Sequence, residues 1–405
     1  MASRTGLSEG RLLFLIGAVQ FVNVLDFMMV MPLGPDFSRE LGIQTSRLGL
    51  VGGIYTLAAG ISGLLGAAFL DRFDRRNALA CSLFGLAIGT ALGGVATGFY
   101  GLLAARALAG VFGGPATSLA LAIVADAVPL ERRGRAMGAV MGAFSVASVL
   151  GVPAGLELSR LGGYRMPFFA VGALCFAVNV AAYLAMPPMR HHLRAGAPPA
   201  VGLGQLLTRP LVLLSLSCTL VAMSGNFAVI PNLSAYIQFN LGYPRADLGR
   251  LYLLGGTISF LTLRIAGKLA DHIGPARTAL IGSVSFFLLL CTGFIWPVSW
   301  MSVLFLFVAF MVTSSFRFVP MQALSSRVPM PNERARFMSA QSAVQHFASA
   351  TGAMAASTVL TEGAGGKLLG MERVALGSAV LVAILPLLIF AVERRVRARD
   401  AAQLG

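Results

Sequence analysis

Gly66-Ala-Ala-Phe-Leu-Asp71-Arg72-Phe-Asp74-Arg75-Arg76 lies between two long apolar runs. A short charged block in that setting reads as a tight turn between membrane-crossing helices, with an aspartate closing one helix and arginines holding the turn at the headgroups. An echo stands about two hundred residues later, Gly267-Lys-Leu-Ala-Asp271-His272-Ile-Gly274-Pro-Ala-Arg277. Asp71 and Asp271 occupy the same point of their halves. The echo spreads outward from there. Asp26-Phe27 matches Asn226-Phe227, Leu41-Gly42 matches Leu241-Gly242, and Leu48-Gly49 matches Leu248-Gly249. Arg133-Gly-Arg135-Ala-Met137 matches Arg334-Ala-Arg336-Phe-Met338, one residue out of step. A repeat at fixed offset bears on the fold before any local motif does.

Composition sets the solvent. The chain has 405 residues, of which 57% are hydrophobic and 12% charged, against about 25% charged in a soluble domain. A water-soluble core cannot absorb that much apolar sequence, so the bilayer is the expected partner. The net charge of +15 does not imply nucleic acid, because the charges fall in short loops between apolar runs. Cys81, Cys175, Cys218 and Cys291 all lie inside such runs and form neither a disulfide framework nor a metal motif. No cleavable signal is read at the start, since the first run is too long for one and more spans follow.

A span needs about 20 apolar residues to cross roughly 30 Å of hydrocarbon. Twelve are expected, near 11–34, 47–70, 77–97, 100–125, 135–158, 166–186, 210–234, 247–270, 277–296, 299–322, 335–360 and 372–392. The one distinct linker is Pro187–Arg209, rich in proline, arginine and histidine. The expected domains are an amino-terminal six-helix bundle over 1–186, a cytoplasmic linker over 187–209 and a carboxy-terminal bundle over 210–405. With an even number of spans and the amino terminus inside, twenty Lys and Arg fall on the inner side and eight in outer loops. The positive-inside rule then puts both termini in the cytoplasm. Trp296 and Trp300 flank a short outer turn, where interfacial tryptophans belong.

The opening block resembles Gly-x-Leu-x-Asp-Arg-x-Gly-Arg-Arg, the signature of the loop between helices 2 and 3 in the major facilitator superfamily of secondary transporters. The first copy has Ala67 for the leading glycine and Asp74 for the central one. The second keeps Gly267, Asp271 and Gly274 but has Pro275 where an arginine is usual. The resemblance covers nearly the whole chain. It implies an all-α membrane protein: twelve transmembrane helices in two pseudo-symmetric six-helix bundles, related as a parallel repeat, with the substrate site at their interface near the midplane. The protein is expected to be a monomer in a bacterial inner membrane.

Asp26 is the sharpest single residue. It stands in Gln20-Phe-Val-Asn23-Val-Leu-Asp26, deep in the first span and in its outer half, where a carboxylate is protonated or paired. Asn23 lies three residues back on the same face. Arg106 enters the fourth span from the outside and is the natural partner. Arg106-Ala-Leu-Ala-Gly110 resembles the superfamily's Arg-x-x-Gln-Gly motif, whose arginine is linked to proton coupling, although Ala109 replaces the glutamine. Its bland alternative is an arginine reaching back to the outer headgroups. In the fifth span Gly151-Val-Pro153-Ala-Gly155 resembles the antiporter motif of efflux members. Proline bends the helix and glycine lets a neighbour approach, and the expected neighbour is the eighth span at Gly255-Gly256. The alternative is ordinary helix packing.

Three arginines fall inside spans: Arg106, Arg264 and Arg317. Arg264 is close enough to the inner end to snorkel; Arg317 is not. Only one acid, Asp26, is clearly central, with Glu157 near an outer end. A cavity with that imbalance favours an anionic or zwitterionic substrate. Further cavity candidates are Tyr55, Asn226, Asn232, Gln238 and Tyr252, and on the eleventh span Gln341, Gln345 and His346, each of which could instead be an interhelical hydrogen bond. Pro115 after Gly113-Gly114 is expected to kink the fourth span. At the inner ends Asp71, Arg72, Arg75, Asp126 and Asp271 form a candidate cytoplasmic gate, the resemblance implying that a loop arginine pairs with an acid at the end of helix 4. Such pairs bias an equilibrium when they form in one state only.

No hydrolase, nucleotide or metal motif is present, so no enzyme and no cofactor are expected and the driving force is a gradient. The expected function is export of a small organic molecule, drug or metabolite, by proton antiport with alternating access. The rival is proton-coupled transport of an organic anion or sugar. A receptor or an intramembrane enzyme would need a signalling domain or paired catalytic groups, and neither is seen.

Overall fold

The computed structural model describes residues 8–190, 203–298, 300–330 and 334–402. Long helices dominate it: α1 (Glu9–Val30), α2 (Leu48–Phe69), α3 (Arg75–Val95), α4 (Phe99–Ala127), α5 (Arg135–Gly162), α6 (Arg165–Ala185), α7 (Pro210–Asn240), α8 (Leu248–Ile273), α9 (Pro275–Ile295), α10 (Val303–Ser325), α11 (Arg334–Val359) and α12 (Met371–Ala402). Eleven are long and apolar enough to cross a membrane. The exception is α11, which is long enough at 26 residues but carries Arg336, Gln341, Gln345 and His346. One departure from an all-helical chain is a two-residue hairpin, Thr361–Glu362 against Leu368–Leu369, antiparallel, between α11 and α12. Asn240 at the end of α7 holds it, its side chain pairing with both the amide and the carbonyl of Leu368.

The helix surfaces are inverted relative to a soluble protein. Phe14, Leu184, Leu387 and Phe390 are 77%, 77%, 72% and 63% exposed. Large apolar side chains stand outward on many helices at once, which is the pattern for a lipid solvent. Trp296 and Trp300 are exposed at the α9–α10 turn.

The chain divides into two compact units: residues 1–198 with 246–253, and residues 199–245 with 254–405. In the first, α2 packs on α4, and α3 lies against α4 and α6. In the second, α7 packs on α11 and α12, and α9 on α10 and α12. The break in sequence falls within the linker expected at Pro187–Arg209, of which residues 191–202 lie outside the described residues. The first turns of α8 cluster with the first unit.

The sequence repeat is also a repeat of backbone geometry. Gly42 and Gly242 both adopt left-handed φ, 63° and 68°, which glycine reaches without penalty. Each is followed by a 3₁₀ turn, Thr45–Arg47 and Arg245–Asp247, and then by a helix beginning at Leu48 or Leu248. The loop at Asp74 and Gly274 differs. Gly274 has φ of 94°, whereas Asp74 has φ of −57°. The first copy can carry an aspartate because its turn needs no left-handed residue.

Candidate functional site

α1 is nearly uniformly apolar, so its two polar residues near one another, Asn23 and Asp26, must find partners inside the bundle. Both are buried, Asp26 completely. Arg106 of α4 is 1% exposed and forks onto the carboxylate: Nη1 donates to Oδ1 at 2.8 Å and Nη2 to Oδ2 at 3.1 Å. Nη2 also reaches the Asp26 carbonyl at 3.4 Å. The Thr90 hydroxyl of α3 lies 2.7 Å from Oδ1 and 2.8 Å from the Leu86 carbonyl. Beneath the guanidinium is the Tyr55 ring of α2, 4.5 Å from Cζ to centroid, and Phe27 stacks on that ring at 5.3 Å. Four helices thus converge on one buried ion pair.

Asn23 and Tyr55, expected to line a substrate cavity, are engaged in holding the bundle. Asn23 Nδ2 donates to the Gly113 carbonyl at 2.8 Å and to Thr117 at 2.7 Å. Its Oδ1 accepts from the Tyr55 hydroxyl at 3.0 Å. A Cβ at Gly113 would stand 2.4 Å from that hydroxyl, so the glycine is what lets α4 come this close.

The desolvation of two charges costs several kcal/mol each and is recovered only by good geometry. A buried ion pair is therefore a poor stability device. In a membrane helix it is by default a functional one.

Asn226 of α7 sits at the register of Asp26, and it too meets an arginine. Arg317 Nη1 of α10 donates to Asn226 Oδ1 at 2.9 Å. Arg317 is 2% exposed, and its Cζ lies 4.6 Å from the Phe286 centroid of α9. On α11, Gln341 donates to Gln322 at 2.7 Å and so ties α11 to α10. Gln345 and His346 are half-buried, as are Asn226 and Tyr252. Asn232 and Gln238 are buried, Asn232 donating to the Ala228 carbonyl within α7. Arg264 is exposed and lies over the Phe260 ring at 4.8 Å, along its own helix. It therefore differs from the two buried arginines. Glu157 is exposed and pairs with Arg160.

The antiporter-like motif lies against α1. A π-helical turn, Ala147–Gly151, precedes Pro153 in α5, which is the distortion that proline's missing donor invites. A Cβ on Gly151 would stand 2.6 Å from Leu25 of α1, and one on Gly155 3.6 Å from Met29. The motif thus seats α1 on either side of Asp26. Gly255 of α8 faces Phe307 of α10. Pro115 lies inside an unbroken α4.

At the loop ends, Arg75 Nε pairs with Asp126 of α4 at 3.3 Å. Arg72 and Asp271 are exposed, and the side chain of Asp71 lies outside what is described. The residue that organises this loop is Asp74. It caps α3 by accepting from the Arg76 amide at 2.9 Å, and accepts from the Met189 amide at 3.1 Å and from Arg190 Nε at 3.0 Å. Burial pushes its carboxyl up, but these hydrogen bonds and the Arg190 charge outweigh that and hold it below the usual aspartate value. In the second unit Glu393 of α12 supplies the equivalent carboxylate, accepting from the Ala276 amide at 2.9 Å. Thr90, Phe286, Asp74 and Glu393 were not singled out by sequence. Asp74 had a signal, its displacement of the motif glycine. The other three had none, being a common residue type on apolar or terminal helices.

Twelve helices in two repeated bundles, with an acid–arginine pair buried in the first, define a polytopic membrane transporter. A family model described as the Major Facilitator Superfamily matches residues 16–353 and 216–404, and the chain belongs to that family, whose members are transporters and not enzymes. It is 28% identical over 266 residues to a chloramphenicol resistance protein of Streptomyces lividans, covering 65% of this chain and 67% of that one. It is 29% identical over 280 residues to the multidrug resistance protein MdtG of Citrobacter koseri, covering 65% and 68%. Among solved structures, a bacterial homologue of the human lysosomal transporter Spinster, inward-facing and unoccupied, aligns with a TM-score of 0.73 at 16% identity over 96% of this chain and 98% of that one. The human organic anion transporter MFSD10 aligns with a TM-score of 0.64 at 17% identity over 95% and 100%.

Proposed function

We propose that the protein exports a small organic molecule in exchange for protons, by alternating access, in a bacterial inner membrane with both termini in the cytoplasm. The observation that carries this reading is the completely buried Asp26–Arg106 pair. Ionised, Asp26 is held by two guanidinium hydrogen bonds and a threonine hydroxyl. Protonated, it loses the charge that makes those bonds strong, and Arg106 is left needing another anion or water. One proton therefore changes the tie between α1 and α4. Gly151 and Gly155 seat α1 beside the same carboxylate, so a change there is felt along the α5 contact. The curated relatives named for chloramphenicol and multidrug resistance support a drug-like substrate. Arg75–Asp126 is the candidate gate pair at the loop end.

The test is reconstitution in liposomes with chloramphenicol and ethidium as probes. Addition of a transported probe should move protons in the opposite sense, and Asp26→Asn should abolish that flux while leaving downhill probe exchange. Uphill transport that survives in Asp26→Asn would refute the coupling role.

A further inference from the structure

We infer that Arg317 anchors a subsite for an oxyanion, a carboxylate or a phosphoryl group, carried by the transported molecule; this rests on the transporter reading above and narrows its substrate class. The first and second units present the same device with one difference. In the first, the α1 residue facing the α4 arginine is an aspartate, and both terminal nitrogens of Arg106 are satisfied by it. In the second, the residue at the same register is Asn226. Arg317 makes one hydrogen bond, to that amide oxygen, and its Nε and Nη2 have no partner. Among the described residues it makes no ion pair. It is nonetheless buried to 2% exposure.

An uncompensated buried cation is among the costlier arrangements available to a protein, and the surroundings do little to relieve it. Phe286 covers one face of the guanidinium, and Phe310 fixes that ring edge-on at 5.1 Å. Ser314, one turn before Arg317 on α10, and Ser283, one turn before Phe286 on α9, also have buried hydroxyls without partners. What gathers on these two helix faces is a set of donors with no acceptor and a positive charge with no counter-charge. A water molecule can accept a hydrogen bond but cannot balance the charge. A guanidinium fork with free Nε and Nη2 fits a carboxylate or a phosphoryl group through two parallel bonds. Phe286 offers an apolar wall to the rest of such a molecule.

The experiment uses the full chain in lipid nanodiscs and equilibrium binding of four probes: benzoate, phenyl phosphate, methyl benzoate and benzylamine. At least one of the two anions should bind tenfold or more tightly than the uncharged ester and the cation, and which anion wins identifies a carboxylate or a phosphoryl site. Arg317→Gln should remove that preference, and Arg317→Lys should retain part of it. Asn226→Asp is the sharper variant, because it supplies an internal carboxylate, copies the first unit, and should fold at least as well while losing anion binding. The proposal is overturned if neither anion is preferred by the unaltered protein, if the preference survives in Arg317→Gln, or if Asn226→Asp binds anions undiminished. Anion binding without any probe movement in liposomes would sink the transport reading and spare the subsite. Ethidium export unaffected by Arg317→Gln, with no anion preference, would do the reverse.

Discussion

Removing Asp26 and Arg106 singly and together should give a strongly non-additive cycle. Asp26→Asn keeps the shape and an Oδ1 that accepts from Thr90 and Arg106 Nη1, but it removes the counter-charge and the Nη2 bond to Oδ2, leaving a buried guanidinium with the Tyr55 ring at 4.5 Å as its remaining electrostatic support. Stripping one partner from a buried pair costs about 3–5 kcal/mol. The residual ring contact is worth about 0.5–2 kcal/mol, which places Asp26→Asn near the lower end, at about 3 kcal/mol. Arg106→Gln leaves a bare carboxylate with one hydroxyl and should cost about 4 kcal/mol by the same reasoning. The double variant has no buried charge; replacing a whole buried pair by packed apolar residues is near neutral in other proteins, and two amides that hydrogen-bond each other should come close to that, at about 0–2 kcal/mol. Reversible unfolding in mixed detergent micelles, followed by circular dichroism, measures all three. A double variant that costs the sum of the singles would show that the two charges do not hold each other, and the proposed coupling pair would fail with it.

Other consequences are smaller in scale. Gly151→Ala forces the Leu25 side chain aside and should cost about 1–3 kcal/mol, while Gly155→Ala, with its nearest neighbour at 3.6 Å, should cost under about 1 kcal/mol; equal values in the same micelle assay would refute the packing described. Asp74→Asn should lose about 1–2 kcal/mol of charge-assisted hydrogen bonding at neutral pH and speed protease cleavage in the 187–209 linker. Because the folded carboxyl lies below its unfolded value, that stabilisation is fully present above about pH 4 and disappears as pH falls through the folded value. The two proteins should therefore be cleaved alike in strong acid and differently at neutral pH. Arg75→Gln breaks a pair whose acid is 39% exposed, so a stability loss above about 1 kcal/mol would be unexpected.

The architecture was legible because lipid imposes long apolar runs and because the repeat fixes register. Leu41-Gly42 and Leu241-Gly242 announced two copies of one turn, and both glycines are left-handed. The Asp26–Arg106 pair was legible for a similar reason: few charges can stand in an apolar helix, so two at one depth suggest each other. The partners of the polar span residues were not legible. Asn23 and Tyr55 read as polar side chains in spans, yet they spend their groups on Gly113, Thr117 and each other, which depends on helix rotation rather than on residue type. The antiporter-like glycines were visible as small residues, but that Gly151 and Gly155 meet Leu25 and Met29 of α1 depends on which way α5 turns after its π-helical turn. Arg264 and Arg317 differ in depth already in the sequence, and the shallower one is exposed while the deeper one is buried.

The far end of α12 does more than leave the bilayer. Glu393 caps the start of α9 through Ala276, Arg399 reaches the carbonyls of Arg327 and Val328 beyond α10, and Asp400 pairs with Arg327. Two inter-helix junctions of the second unit, before α9 and after α10, are therefore fastened by residues after the last apolar stretch. Anyone shortening this protein, or fusing a reporter to it, by trimming at the hydropathy boundary would remove the fastenings and keep the span. A fusion placed beyond Ala402 would leave them in place.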